Sequence, residues 1–269
     1  MKYLESWKRW AVWFLIASLF AVACVFLSQW QFDRRTQAVE KIKLIAQNYD
    51  QTPVSLESVI RQDLFESGLE WRPVEISGRF LNEDAVLVRN RPLNGQPGFL
   101  QLIPFELDNG GLVAVETGWL PTGNLSDSPD LNPLPSNETQ TVTARIRPTE
   151  PTLGRGAPEG QIATINIDSL IAKQELSGPI FKSFYLRLDR SNSTEELPKA
   201  LPRPAPNEGN HLSYAFQWIL FAVLAFGALY FAVREEIHVR RLALDSSYRP
   251  KQRKKYGDED KLIEDAANR

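Results

Sequence analysis

The chain has 269 residues, 43% of them hydrophobic, and a formal net charge of -2, values that suit an ordinary soluble domain and carry no basic excess for gripping a nucleic-acid backbone. One cysteine, one methionine and two histidines exclude a disulfide framework, thiol exchange and a clustered copper site, each of which needs several soft or imidazole ligands side by side. These averages conceal how the apolar residues are distributed.

The first element in chain order is a membrane span. Residues 10–32 hold no Asp, Glu, Lys or Arg, and a helix needs only about 20 such residues to cross roughly 30 Å of hydrocarbon. Lys2, Lys8 and Arg9 ahead of the run would also suit a cleavable leader. A leader's apolar core, however, runs about 7–15 residues to a small-residue cleavage site, whereas this run is longer and ends on Gln29-Trp30-Gln31-Phe32. Trp7, Trp10, Trp13 and Trp30 stand where amphipathic rings meet lipid headgroups. Ala17, Ala21, Cys24 and Ser28 form a stripe of small residues suited to close packing against another helix, in this chain or in a partner.

Residues 33–48 continue as a helix, with Val39, Ile42, Leu44 and Ile45 as its apolar positions. A second helix follows, with Thr52 as cap, Pro53 in the first turn, Leu56, Val59, Ile60, Leu64 and Phe65 apolar, and Gly68 past its end. From Trp71 the period falls to two. Val74, Ile76, Gly78 and Phe80 alternate, and strands are expected at 85–91, 99–107, 112–119 and 141–147, bounded by Gly, Pro, Asn and Asp. The pattern is that of a meandering antiparallel sheet, curled or closed into a small barrel. Residues 121–137, rich in Pro, Ser, Asn and Asp, read as an exposed, poorly ordered loop. A strand at 162–167, a short helix at 168–174 capped by Asp168, and a closing strand at 183–188 complete the domain. The proline-rich stretch 197–206 leads back to the membrane.

The second span is 211–233, again uncharged, with Tyr214, Trp218 and Tyr230 as interfacial rings and Ala215, Ala222, Ala225 and Ala232 along it. Arg234, Arg240, Arg241, Arg249, Lys251, Arg253, Lys254 and Lys255 follow, then an acidic end around Asp258, Glu259 and Asp260. Basic flanks stay inside, so both termini are expected in the cytoplasm; Arg34, Arg35, Lys41 and Lys43 do not reverse this, because long domains translocate regardless of charge. The basic tail also suits anionic lipid, although a topology signal alone accounts for it. The expected architecture is a membrane protein: a cytoplasmic N-terminus (1–9), a transmembrane helix (10–32), one extracytoplasmic α+β domain dominated by an antiparallel β-sheet or small barrel (33–210), a second transmembrane helix (211–233) and a cytoplasmic tail (234–269). The residues before the first span lack the Arg- and Ser-rich character of a mitochondrial presequence, which favours a bacterial plasma membrane over the mitochondrial inner membrane.

Enzyme signatures are missing from the sequence: there is no GxSxG, HExxH, Walker sequence or dinucleotide fingerprint. The position that stands out is His211, at the outer edge of the second span, with Tyr214, Ala215 and Trp218 following on the same helical face. Two readings stay open. Either a neutral imidazole ligates a haem iron while Tyr214 and Trp218 pack the porphyrin, or an interfacial histidine bonds to backbone or headgroups. His238 lies about 40 Å further along a continuous helix, across the membrane, so one chain offers such a haem no second histidine. An open or partner-completed iron suits transfer better than electron storage.

Several short motifs stand in a fixed order: Leu27-Ser28-Gln29-Trp30-Gln31 with Arg34 after it, Pro73-Val74 through Gly78 and Phe80, Arg91-Pro92 with Gly95 and Gly98, Gly118-Trp119-Leu120-Pro121, and Asn210-His211-Leu212-Ser213-Tyr214-Ala215. In this order, and with two spans, the chain resembles the surfeit locus protein 1 family, membrane proteins that assist assembly of haem-copper cytochrome c oxidase. Two positions depart from the family pattern: Ser28, where the family often has Gly, and Thr117, where Arg usually precedes Gly-Trp. The resemblance implies an assembly factor and not an enzyme. It implies that haem a, transiently bound, is delivered to or inserted into the haem-bearing catalytic subunit, with oxidase subunits and membrane lipid as partners and no nucleic acid. On that reading His211 holds iron through haem only, and Tyr214, Trp218 and Trp30 pack the haem. The resemblance accommodates equally a membrane-anchored scaffold that binds oxidase subunits without touching haem. Arg89 and Arg91 read either as a solvated strand face or as a propionate clamp, Gly118 as a tight turn and Trp119 as a core aromatic.

Overall fold

A computed structural model describes residues 2–60, 63–124, 127–191 and 197–244; the basic and acidic tail expected at 249–260 lies outside the described residues. In chain order the elements are α1 (Lys2–Asn48), β1 (Val54–Ser55), α2 (Leu56–Val59), β2 (Pro73–Phe80), β3 (Val86–Val88), β4 (Gly98–Leu107), β5 (Leu112–Pro121), β6 (Gln140–Pro148), β7 (Gln161–Ile162), α3 (Ile167–Gln174), β8 (Phe184–Ser191) and α4 (His211–Leu244). They form two units, one of Met1–Thr36 with Gly209–Arg269 and one of Gln37–Glu208.

The first unit is helical. The first span and the continuation expected after Phe32 are one uninterrupted helix, α1, about 70 Å long at 1.5 Å per residue, and α4 carries the second span on past Val233 to Leu244. Both are long and apolar enough to cross a membrane. Leu19, Val25, Phe26, Val223 and Phe231 are exposed large apolar side chains on them, a burial that lipid supplies in these transmembrane helices. The small-residue stripes meet: Cys24, Ser28 and Ala215 are buried, Ala17, Ala21, Ala222 and Ala225 are half-buried, and Ala232 is exposed and takes no part. Ser28 Oγ donates to the Ala215 carbonyl at 3.1 Å, a contact that a glycine at this position would lack. Phe14 and Phe226 pack with centroids 6.0 Å apart, and Phe32 meets Phe216 edge-on at 6.1 Å. Arg9 pairs with Glu236, which also accepts from Arg240. Lipid tails are as apolar as leucine, so close packing and such polar bonds are what hold spans together.

The second unit is a barrel. Its strand order is β1-β2-β6-β8-β5-β4-β3-β7, with β2 also pairing with β4, so β2, β6, β8, β5 and β4 close into a ring and lose their free edges. The expected meander is corrected: β2 pairs with β6 and β4 and not with β3, and β7 runs parallel to β3. The last strand, β8, enters between β5 and β6 and runs parallel to β5 through Val115↔Leu186 and Glu116↔Arg187. Inside the ring sit Val74, Ile76, Phe80, Ile103, Phe105, Val113, Ile146 and Leu186. A second core, with Val88, Leu102, Ala114, Ile165, Leu170 and Tyr185, packs where β3, β7 and α3 cover the sheet. β4 and β5 border both cores, which is why they are almost continuously buried; each such Val, Ile or Phe contributes about 1.5–3 kcal/mol.

Other expectations give way to tertiary pairing. The helix expected from Thr52 to Gly68 reduces to α2, because Val54 and Ser55 pair with Val74 and Glu75 as a parallel strand and Leu56 and Ile60 turn into the core. The strand at 85–91 is only β3. Of that at 162–167, only Gln161–Ile162 pairs, and the cap of α3 is Asn166, whose side chain accepts from Ser169 N, leaving Asp168 in the first turn. The loop after β5 is tied down: Gln101 Nε2 donates to Asn132 Oδ1 at 2.7 Å and Pro133 O at 2.9 Å, and Asn82 Nδ2 donates to Pro135 O at 2.6 Å.

Candidate functional site

Helix α4 opens at His211 after a turn at Gly209 and Asn210, and Tyr214 N donates to Asn210 O at 3.1 Å. Gly209 has φ +67°, the left-handed region that favours glycine. Within the same unit, Gln31 of α1 meets the ring: His211 Nδ1 and Gln31 Oε1 are 2.9 Å apart. With Gln31 presenting its amide oxygen, which can only accept, Nδ1 is the donor in this bond. In a neutral imidazole, Nε2 then holds the lone pair. A β-carbon on Gly209 would come within 3.1 Å of Cδ2 and 3.2 Å of Nε2, so a side chain there would crowd the ring. An imidazole with its lone pair on Nε2 is the type of donor that would ligate a haem iron. Among the described residues no group of three or more His, Cys, Asp or Glu side chains is placed to hold a bare metal ion.

The other residues proposed around the haem do not all gather there. Tyr214 is half exposed, and Trp218 packs edge-on against Phe221 at 5.8 Å. Trp30 lies about 100° round the helix from Gln31, with the Arg34 guanidinium 5.7 Å from its ring, and so projects from a different face than the side chain that touches His211. Gln31 and Gly209 are the residues that the sequence alone did not single out. The available signal was a polar amide in the apolar end of a span, a group that seeks a partner on a neighbouring helix.

In the barrel unit the motif residues build a packed corner. Trp119 Nε1 donates to the Arg91 carbonyl at 2.6 Å, and its ring fills the space that a β-carbon on Gly98 would enter. Gly118 is not in a tight turn: it lies within β5 at φ +151°, where a β-carbon would meet Pro198 O at 2.7 Å and Lys199 O at 2.8 Å. There the returning chain pairs with Trp119, through Trp119 N to Lys199 O at 2.8 Å and Lys199 N to Trp119 O at 3.0 Å. Arg91 is neither a solvated face nor a clamp for propionates. Its guanidinium grips Glu150, with Nη1 to Oε1 at 2.9 Å, and Glu150 also accepts from Ile165 N at 2.9 Å. Burial alone would raise the Glu150 carboxyl, but Arg91 and this N–H outweigh it and hold it below the ordinary carboxylate range. Thr117, bulged from the β4–β5 pairing, donates to Gln101 Oε1 and so steadies the amide that holds the loop.

The same unit contains a buried ionic cluster. Glu116, whose side chain is fully buried, accepts from Arg187 Nε at 3.0 Å. Burial pushes its carboxyl up against the pull of Arg187. Arg147 lies 3.8 Å from the Trp71 ring centroid and Arg187 5.1 Å, and Arg147 pairs with Glu70. Arg145 pairs with Asp189, and Arg203 with Asp50. Each cation named here is matched by an acid, so the cluster stitches elements together and does not form an anion site.

These features define a class: a two-span membrane protein with a closed β domain between the spans and a histidine held by an amide where the second span begins. The sequence profile described as the SURF1 family matches residues 18–223. An uncharacterised SURF1-like protein of Mycobacterium tuberculosis is 32% identical over 243 residues, covering 86% of this chain and 86% of its own, as is one of Mycobacterium bovis. The cytochrome oxidase assembly protein SHY1 of Saccharomyces cerevisiae is 28% identical over 140 residues, covering 50% of this chain and 36% of its own. The chain belongs to the SURF1 family.

Proposed function

We propose that this protein is an assembly factor for haem-copper cytochrome c oxidase, and that it binds haem a transiently through His211 Nε2 during delivery to the catalytic subunit. The observation that carries the haem reading is the 2.9 Å bond from His211 Nδ1 to Gln31 Oε1, which leaves Nε2 as the lone-pair nitrogen. Family membership supports the assembly role, as does the likeness to a yeast protein named for oxidase assembly. Haem a, when bound, would supply the iron that His211 Nε2 ligates; the chain's own part would be to hold and orient it, with no bond chemistry. Tyr214 and Trp218, following His211 on α4, are the rings available to pack a porphyrin; Trp30, on another face of α1 than Gln31, is not one of them. The partners are oxidase subunits, chiefly the haem-bearing one. The setting is the bacterial plasma membrane, with the β domain outside and both termini in the cytoplasm, consistent with Lys8 and Arg9 before the first span and Arg234, Arg240 and Arg241 after the second.

The test is the oxidase difference spectrum of a deletion strain complemented with wild type or His211→Ala, together with the absorption spectrum of the protein purified from cells that make haem a. The expected result is a haem spectrum for wild type that His211→Ala loses, with less haem-loaded oxidase in that strain. If His211→Ala restores the oxidase fully, the protein is a scaffold that binds subunits without haem. If deletion leaves the oxidase unchanged, the assembly role is wrong.

A further inference from the structure

We propose that Gln31 is the positioning residue of the His211 site, fixing the ring as the Nδ1–H tautomer so that Nε2 is the nitrogen presented to iron. The proposal deepens the haem reading and rests on it for its functional meaning, although the tautomer itself can be measured without haem. Its basis is the bond between Gln31 Oε1 and His211 Nδ1 at 2.9 Å. Two further contacts fix where Gln31 stands. Ser28, one turn earlier on α1, donates to the Ala215 carbonyl at 3.1 Å. Phe32, the next residue, packs edge-on to Phe216. The α1 turn that carries Gln31 is therefore pinned to the first turns of α4 by contacts on both sides of it, and the amide reaches the imidazole from a fixed backbone. The ligand chemistry follows. An imidazole whose far N–H is held by an acceptor has a set tautomer and ring orientation, and it is a stronger base towards a metal; removal of such a partner typically lowers metal affinity 10- to 100-fold. A histidine without this bond divides its proton between the two nitrogens and presents Nε2 as a donor part of the time.

The experiment uses the full-length protein in lipid nanodiscs with ¹⁵N-labelled histidine, the His211 signals being assigned by their loss in His211→Ala. Without haem, the ring nitrogen shifts of wild type should report the Nδ1–H form. Gln31→Leu should move His211 towards the Nε2–H form, and Gln31→Glu, which keeps an acceptor, should retain the wild-type pattern. The second arm titrates ferric haemin. Gln31→Leu should weaken binding 10- to 100-fold, while Gln31→Glu should bind and shift the haem reduction potential to a more negative value, because a carboxylate makes the imidazole more electron-rich. Unchanged ring shifts in Gln31→Leu would overturn the proposal, as would a Gln31→Leu haemin affinity within threefold of wild type when His211→Ala abolishes binding. If His211→Ala binds haemin as wild type does, the haem reading fails, while the ring shifts still decide what Gln31 does.

Discussion

Glycines that share a positive φ are not equivalent here, and the difference is set by what lies beside each one. A β-carbon on Gly95 or Gly110 would meet nothing within 4 Å, so a side chain at either costs only its left-handed backbone, about 1 kcal/mol. Gly118 has in addition the Pro198 and Lys199 carbonyls at 2.7 and 2.8 Å from its notional β-carbon. Gly118→Ala must therefore push the returning chain away from Trp119 and break the pair of backbone bonds that anchor residue 199. The expected loss is about 3 kcal/mol, strain and lost bonds together, against about 1 for Gly95→Ala. Thermal unfolding of the two variants in the same detergent gives the comparison, and equal shifts would mean that the approach of residues 198–199 does not constrain Gly118.

At the scale of elements, the junction that the sequence hides is β5 against β8. The two strands run parallel with Glu116 opposite Arg187, and the carboxylate is buried where a lone charge is expensive. Arg187→Ala should destabilise the barrel by about 3–5 kcal/mol, because Glu116 is left without its cation. Adding Glu116→Leu to Arg187→Met should recover most of that loss, since well-packed apolar residues replace a buried pair at little cost. Urea unfolding of the two variants measures both quantities, and a double variant as unstable as Arg187→Ala would refute the pairing as the cause. Much of the architecture was legible before this junction was seen. Two uncharged runs gave the spans, and alternation gave β2, β4, β5, β6 and β8 nearly to their ends. What local pattern does not encode is which strand pairs with which, so the insertion of β8 and the loss of the helix expected after Thr52 follow from contacts made across the chain. The site was half legible for the same reason. His211 is visible as a lone histidine at the head of a span, whereas its bond to Gln31 joins residues that are far apart in sequence.

For the whole molecule, the side of the membrane on which the β domain lies can be measured, because Cys24 is the sole cysteine. Cys24 is buried between the spans at 1% exposure, so it reacts poorly with a polar thiol reagent, and an added cysteine reports its own location. Leu131 is 80% exposed on the loop after β5, and Lys8 is exposed before the first span. A small side chain at either place disturbs no core contact. The positive-inside tendency sets Lys2, Lys8 and Arg9 against the Arg34, Arg35, Lys41 and Lys43 that follow the first span, and the proposed orientation follows the N-terminal group because long domains translocate largely regardless of charge. On intact spheroplasts a membrane-impermeant maleimide should therefore label Leu131→Cys and leave Lys8→Cys unlabelled until the membrane is opened. The opposite pattern would place the β domain in the cytoplasm, and with it the His211 end of α4. A haem held there would have to be handed to the oxidase from the inner face, so this labelling decides from which side of the membrane the proposed delivery takes place.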